Sequence, residues 1–176
     1  MQKRNISVRK LVMVSLFIAM QIVLTRFVAP INLEHVRVSF TFVPMAMCSI
    51  MFGPIIGGLA AFLADFLGMM IAPSGSGGYF LGFGLTVFIS GASYGFFTKK
   101  FGVKIVPVTM AVLVSKIIAH LLINTYWLTI LMGQGYMALL PTRVVSTIIM
   151  IPVEIVIIMA VWKYLGRIIN ENYGDM

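Results

Sequence analysis

IVPVTMAVLVSKIIAHLLINTYWLTIL, residues 105–131, decides the fold class. A bilayer core is crossed by about 20 apolar residues in a helix, and this run is longer than that with one full charge, Lys116, near its middle. Lys99, Lys100 and Lys104 precede it and Gly133-Gln134-Gly135 follows, so charge and glycine mark its ends. Outward from it, the same criterion predicts further spans at 80–98 and 144–162, then at 57–72, 38–56 and 11–28. Gly53-Pro54 breaks the second of these from the third, and Pro73-Ser74-Gly75-Ser76-Gly77-Gly78 reads as a loop by composition.

The whole chain agrees. Of 176 residues 60% are hydrophobic and only 10% charged, with mean hydropathy +1.04; a soluble domain carries about 25% charged residues. Too little polar surface exists to coat a globule, so the lipid bilayer is the solvent for most of the chain. The expected architecture is all-α: one domain over 1–176, a polytopic bundle of six transmembrane helices. No cleavable leader is expected ahead of the first span.

Charge sets the direction. Lys3, Arg4, Arg9, Lys10, Lys99, Lys100, Lys104, Lys163 and Arg167 fall on one side of such a bundle, and Arg26, Arg37 and Arg143 on the other. The positive-inside bias therefore puts both termini in the cytoplasm. The net charge of +8 is then a topology signal, and nucleic acid is excluded as a partner. A single cysteine, Cys48, excludes a disulfide framework and a multi-cysteine metal site. GxxxxGK[ST], HExxH and GxSxG are all missing, so ATP hydrolysis, zinc proteolysis and serine hydrolysis lack their residues. The chain is not expected to be an enzyme, and neither a metal nor a cofactor is expected in it.

Ionisable residues at membrane depth cost at least about 2.5–3.5 kcal/mol each on insertion scales and ask for a partner or a task. At 1.5 Å per residue, Asp65, Lys116 and Glu154 lie roughly 12 to 16 Å from the inner ends of their spans. Lys116 has two candidate counter-charges, Asp65 and Glu154, in a structural ion pair or in a site. Lys116, His120 and Asn124 recur every four residues, a polar stripe continued by Trp127 that faces the bundle interior as interhelical glue or as a ligand wall. Arg26, Arg37 and Arg143 gather at the outer rim, where a guanidinium either snorkels or pairs bidentately with carboxylate. Arg37 has Glu34 as an alternative partner. Phe40, Phe42, Tyr79, Phe80, Phe83, Tyr126 and Trp127 ring the same rim, as an interface belt or as stacking surfaces for a flat heterocycle. The loop from Pro73 to Gly78 reads as a lid or a plain connection. Small residues four apart, Ser15/Ala19, Gly53/Gly57 and Gly91/Gly95, permit close helix approach within the bundle or against a partner.

Ordered motifs carry a resemblance beyond this. Leu24-Thr25-Arg26-Phe27, Val36-Arg37-Val38-Ser39-Phe40-Thr41-Phe42-Val43-Pro44, Met51-Phe52-Gly53-Pro54 with Gly57-Gly58, and Ala64-Asp65-Phe66-Leu67-Gly68 resemble the substrate-binding (S) subunits of energy-coupling-factor (ECF) vitamin transporters, most closely the folate group. Tyr79-Phe80-Leu81-Gly82-Phe83-Gly84-Leu85-Thr86, Gly91-Ala92-Ser93-Tyr94-Gly95, Asn124-Thr125-Tyr126-Trp127-Leu128 and Leu139-Leu140-Pro141-Thr142-Arg143 extend it over residues 8 to 160.

The resemblance implies a cell-membrane subunit that captures a vitamin outside. It would dock on a transmembrane coupling subunit served by two ATP-binding subunits, and topple to release its cargo. ATP would be spent by those partners, not bound here. The family's AxxxA docking strip on the first helix matches Ser15 and Ala19, with one hydroxyl of difference. Folate has a flat pterin, a polar edge and a dicarboxylate tail. Arg26, Arg37 and Arg143 are therefore the candidate carboxylate partners, with Asp65, Lys116, His120 and Asn124 on polar edges and Phe40, Tyr79, Phe80 and Trp127 as rings. The alternatives are another vitamin, riboflavin, pantothenate or thiamin, on the same fold, or a structural membrane protein without cargo.

Overall fold

A computed structural model describes residues 8–27, 31–33, 36–38, 40–72, 80–133 and 135–173. The chain forms an all-helical membrane bundle: α1 (Val8–Arg26), a hairpin of β1 (Ile31–Leu33) and β2 (Val36–Val38), α2 (Phe42–Phe52), α3 (Pro54–Ile71), α4 (Leu81–Phe101), α5 (Ile105–Leu113), a π-helical segment (Val114–Ile123), α6 (Asn124–Met132) and α7 (Tyr136–Tyr173). Among the described residues, five continuous helical stretches are long and apolar enough to cross a membrane, with α5, the π segment and α6 counting as one.

The expected break between the second and third spans lies at Gly53-Pro54, as read. Gly53 has φ +90°, which ends α2, and Pro54 opens α3 at its first turn, where its missing N–H costs nothing. The second span itself differs from expectation. It is an 11-residue helix, about 16 Å long, and the residues before it pair as an antiparallel ribbon, Ile31 opposite Val38 and Leu33 opposite Val36. β-Branched residues on both strands suit that pairing. β2 packs against α7. At the other end α7 runs past 144–162 in both directions, to 38 residues.

Glycine sets the closest crossing. A methyl on Gly91 of α4 would lie 2.9 Å from the Gly57 carbonyl oxygen and 3.0 Å from the Ala61 Cβ; one on Gly95 would lie 2.5 Å from the Pro54 nitrogen. The backbones of α3 and α4 thus touch directly, so Gly53/Gly57 and Gly91/Gly95 serve packing inside the bundle. Ser15 and Ala19 do not: both are exposed on the outer surface of α1, whose buried residues are Phe17 and Gln21.

Van der Waals contacts and buried hydrogen bonds, rather than hydrophobic exclusion, hold helices together in lipid. Ser93 Oγ donates to the Ala111 carbonyl at 3.2 Å, joining α4 to α5, and Ser115 Oγ donates to Ser90 Oγ at 3.0 Å, joining α4 to the π segment. Met45, Met47 and Cys48 of α2 and Ile158 of α7 fill the centre with Tyr94, Ala111 and Val112.

Candidate binding cavity

Between these helices lies a cavity of about 310 Å³. α1 contributes Gln21 and Thr25; Thr41, Phe42 and Met45 come from the start of α2, and Ala61, Ala64 and Asp65 from α3. Val87 and Tyr94 of α4, Ser115, Lys116 and His120 of the π segment, and Met150 and Glu154 of α7 complete it. The alanines on α3 leave the space. The π segment supplies three polar side chains to one wall: its i→i+5 bonding, seen where the Asn124 N–H reaches the Ala119 carbonyl, widens the turn.

Two ion pairs stand at this cavity. Lys116 Nζ lies 2.6 Å from Glu154 Oε1, and the Tyr94 hydroxyl donates to Glu154 Oε2 at 3.1 Å. Glu154 is 1% exposed, so both its oxygens are satisfied without water. Of the two counter-charges open to Lys116, the structure selects Glu154. Asp65 instead faces Arg26, Oδ1 to Nη2 at 3.8 Å, with the Arg26 side chain 7% exposed. Gly68, three residues on from Asp65, makes room for that guanidinium: a methyl there would lie 3.0 Å from Arg26 Nε.

Two cavity residues hold polar atoms with unused capacity. Gln21 Nε2 and Asp65 Oδ2 are buried and have no hydrogen-bond partner among the described residues. A donor and an acceptor are therefore left over in a chamber whose walls combine the apolar Phe42, Met45, Val87 and Met150 with the polar Thr25, Thr41, Ser115, Lys116 and His120. Such a chamber suits a flat, mostly apolar molecule with a polar edge, and its size is at the lower end of the roughly 300–1,000 Å³ of ligand pockets.

The remaining candidates are placed elsewhere. Asn124 is half-buried at the start of α6 and does not line the cavity, because rotation per residue falls in the wider π turn and the four-residue stripe drifts off the wall. Arg143 Nη1 donates to the buried Thr125 hydroxyl at 3.4 Å, and no carboxylate among the described residues pairs with it. Phe80 and Trp127 meet edge to face at 5.4 Å on a separate apolar groove with Leu59, Phe62, Leu85 and Phe88. Phe40 is exposed, 6.4 Å from the cavity ring Phe42. Arg37 lies on β2, with its side chain outside the described part of the structure, and Tyr79 and the Pro73–Gly78 loop fall outside the described residues. Gln21 and Tyr94 were not among the site residues read from sequence, and Glu154 was read there as a counter-charge for Lys116 rather than as a ligand contact. Gln21 had a usable signal: it is the lone amide within the apolar run of α1.

Comparison with known proteins places these features in a series. The family described as "ECF transporter, substrate-specific component" matches residues 9–162. The folate transporter FolT of Clostridium novyi (strain NT) is 38% identical over 170 residues, covering 96% of this chain and 94% of that protein. The folate transporter FolT of Leuconostoc mesenteroides subsp. mesenteroides is 28% identical over 157 residues, covering 86% and 83%. Among solved structures, the crystal structure of FolT bound with folic acid superposes with a TM-score of 0.76 at 29% identity, covering 89% of this chain and 92% of that one.

Proposed function

Because the chain belongs to the family of ECF transporter substrate-specific components, we propose that its central cavity holds folate and that it serves as the folate-binding subunit of an ATP-driven vitamin importer. It is a multi-pass protein of the cell membrane and a transporter component rather than an enzyme. The observation that carries the folate reading is a cavity of mixed apolar and polar walls that holds an unpartnered acceptor on Asp65, in a chain that matches folate transporters over nearly its full length.

Folate enters with the pterin inward. Asp65 accepts from the heterocycle's N–H groups, Phe42 lies nearest its face, and Lys116 and His120 bound the far end. The glutamate tail points to the outer rim. There Arg143, free of any described carboxylate, is the first candidate to receive it, with Arg37 on the neighbouring β2. Arg26 acts at one remove, by pairing with Asp65 and orienting it. The inward-facing termini follow from the distribution of lysine and arginine. The exposed Ser15 and Ala19 meet a transmembrane coupling subunit, two further subunits hydrolyse ATP, and this chain topples to release folate inward, binding no nucleotide or other cofactor itself.

Extraction of the purified protein, with absorbance and mass spectra of what is released, followed by titration with folic acid and with riboflavin, tests the reading. Saturable folate binding is expected. Saturation by riboflavin alone would overturn the vitamin, and no saturation by either would favour a structural role. Arg143→Ala is expected to lower affinity for folic acid about tenfold while leaving affinity for pteroic acid, which lacks the glutamate, unchanged; equal losses for both would remove Arg143 from the tail site. Ala19→Trp is expected to keep folate binding in detergent and to abolish co-purification with the coupling subunit, since a bulky ring prevents close helix approach. Co-purification at the wild-type level would move the docking face off α1.

A further inference from the structure

Gln21 is out of place on its helix. It is 3% exposed, on the face of α1 that also turns Phe17 and Thr25 inward, and a buried amide N–H left without an acceptor is destabilising. Its backbone carbonyl accepts from Thr25 Oγ1 at 2.6 Å, but Nε2 has no partner among the described residues, and the residue lines the cavity. On the same cavity Asp65 Oδ2 is in the complementary condition, an acceptor without a donor among the described residues. Buried polar groups in native proteins are hydrogen-bonded, so a donor and an acceptor that find no protein partner on a cavity wall are suited to a ligand's polar edge.

The chemistry of the two atoms is one-directional. An ionised carboxylate only accepts, and an amide nitrogen only donates. The complement is a planar edge that carries N–H donors beside a carbonyl oxygen. A 2-amino-4-oxo heterocycle has this edge: its amine and ring N–H donate, and the adjacent C4 carbonyl accepts. We infer that Gln21 is the specificity-determining residue of the site, donating from Nε2 to the C4 carbonyl of the heterocycle while Asp65 Oδ2 accepts from its N–H groups. The inference rests on the folate reading and deepens it, by dividing recognition of the heterocycle between α1 and α3. Arg26, five residues from Gln21 on α1 and paired with Asp65, ties the two walls together.

Titration of the purified full chain in detergent with folic acid and with its 4-deoxy analogue, in which hydrogen replaces the C4 oxygen, tests this. Wild type is expected to prefer folic acid. Gln21→Met, close in shape and able to remain in the apolar face of α1, is expected to lose about 10- to 100-fold in affinity for folic acid and much less for the analogue, so that the preference shrinks by about tenfold or more. Gln21→Leu repeats the measurement should the first variant melt early. A preference unchanged in the folded variant overturns the role of Gln21, even where both affinities fall. Failure of the wild type to bind either compound would instead overturn the folate reading, a separate outcome.

Discussion

Asp65→Ala is expected to weaken folate binding by at least about a hundredfold, the largest effect of any single change at the cavity. The substitution removes two things together: the buried acceptor Oδ2 that is proposed to receive the heterocycle's N–H groups, and the charge that balances the Arg26 guanidinium at 3.8 Å. Charge-assisted hydrogen bonds are worth roughly 1.5–3 kcal/mol each, and removing one member of a buried ion pair costs about 3–5 kcal/mol. Asp65→Asn keeps the shape and one acceptor oxygen, and should fall between wild type and alanine. Thermal melting separates folding from binding. The double variant Arg26→Gln, Asp65→Asn restores neutrality and should melt near the wild type while binding folate poorly. Wild-type affinity in Asp65→Ala would place the heterocycle elsewhere in the bundle.

The second large effect concerns stability. Glu154→Leu leaves Lys116 buried beside an apolar side chain and strips the Tyr94 hydroxyl of its acceptor, so the loss is expected to be about 3–5 kcal/mol. Adding Lys116→Met should recover most of it, because a well-packed apolar pair is often as stable as a buried ion pair. Unfolding of the two single variants and the double variant in detergent measures the coupling. The double variant carries further information: if it melts like the wild type but binds folate weakly, the pair is kept for the ligand. Additive losses would show that Lys116 and Glu154 do not act as a unit.

The residues that count and the residues that pair are different kinds of information. Apolar runs, the Gly53-Pro54 break and the clustering of lysines are properties of one segment at a time, and these read directly as helices, a turn and a topology. Which charge meets which is a property of helix rotation about the bundle axis. Asp65, Lys116 and Glu154 share a depth, yet nothing in their spacing selects Glu154 over Asp65 for Lys116; the small face of α3 and Gly68 do so, by admitting Arg26 to Asp65. The π segment has no composition of its own, so the drift of Asn124 from the cavity wall was hidden in a stripe that assumed an α-helical turn. Phe80 and Trp127 read as site rings because they share a rim with the arginines; the structure sets them on another groove, since Gly82 lets the indole lie against α4. The hairpin was missed because strands of three residues fall below any periodicity.

That hairpin governs hydration. A two-stranded ribbon leaves backbone N–H and C=O groups along both outer edges, and such groups are not tolerated against hydrocarbon. Its position fixes where water or protein must reach. α2 begins only after the ribbon and is about 16 Å long, against about 30 Å of acyl thickness, so α2 alone does not span the hydrocarbon, and the ribbon's edges call for water or protein at that end of the bundle. On the folate reading, a dianionic ligand approaching from that end would shed its solvation shell late, beside Arg143 rather than beside lipid. The electrostatic barrier to entry would then be lowered by hydration of the ribbon's edges, before any side chain has made contact.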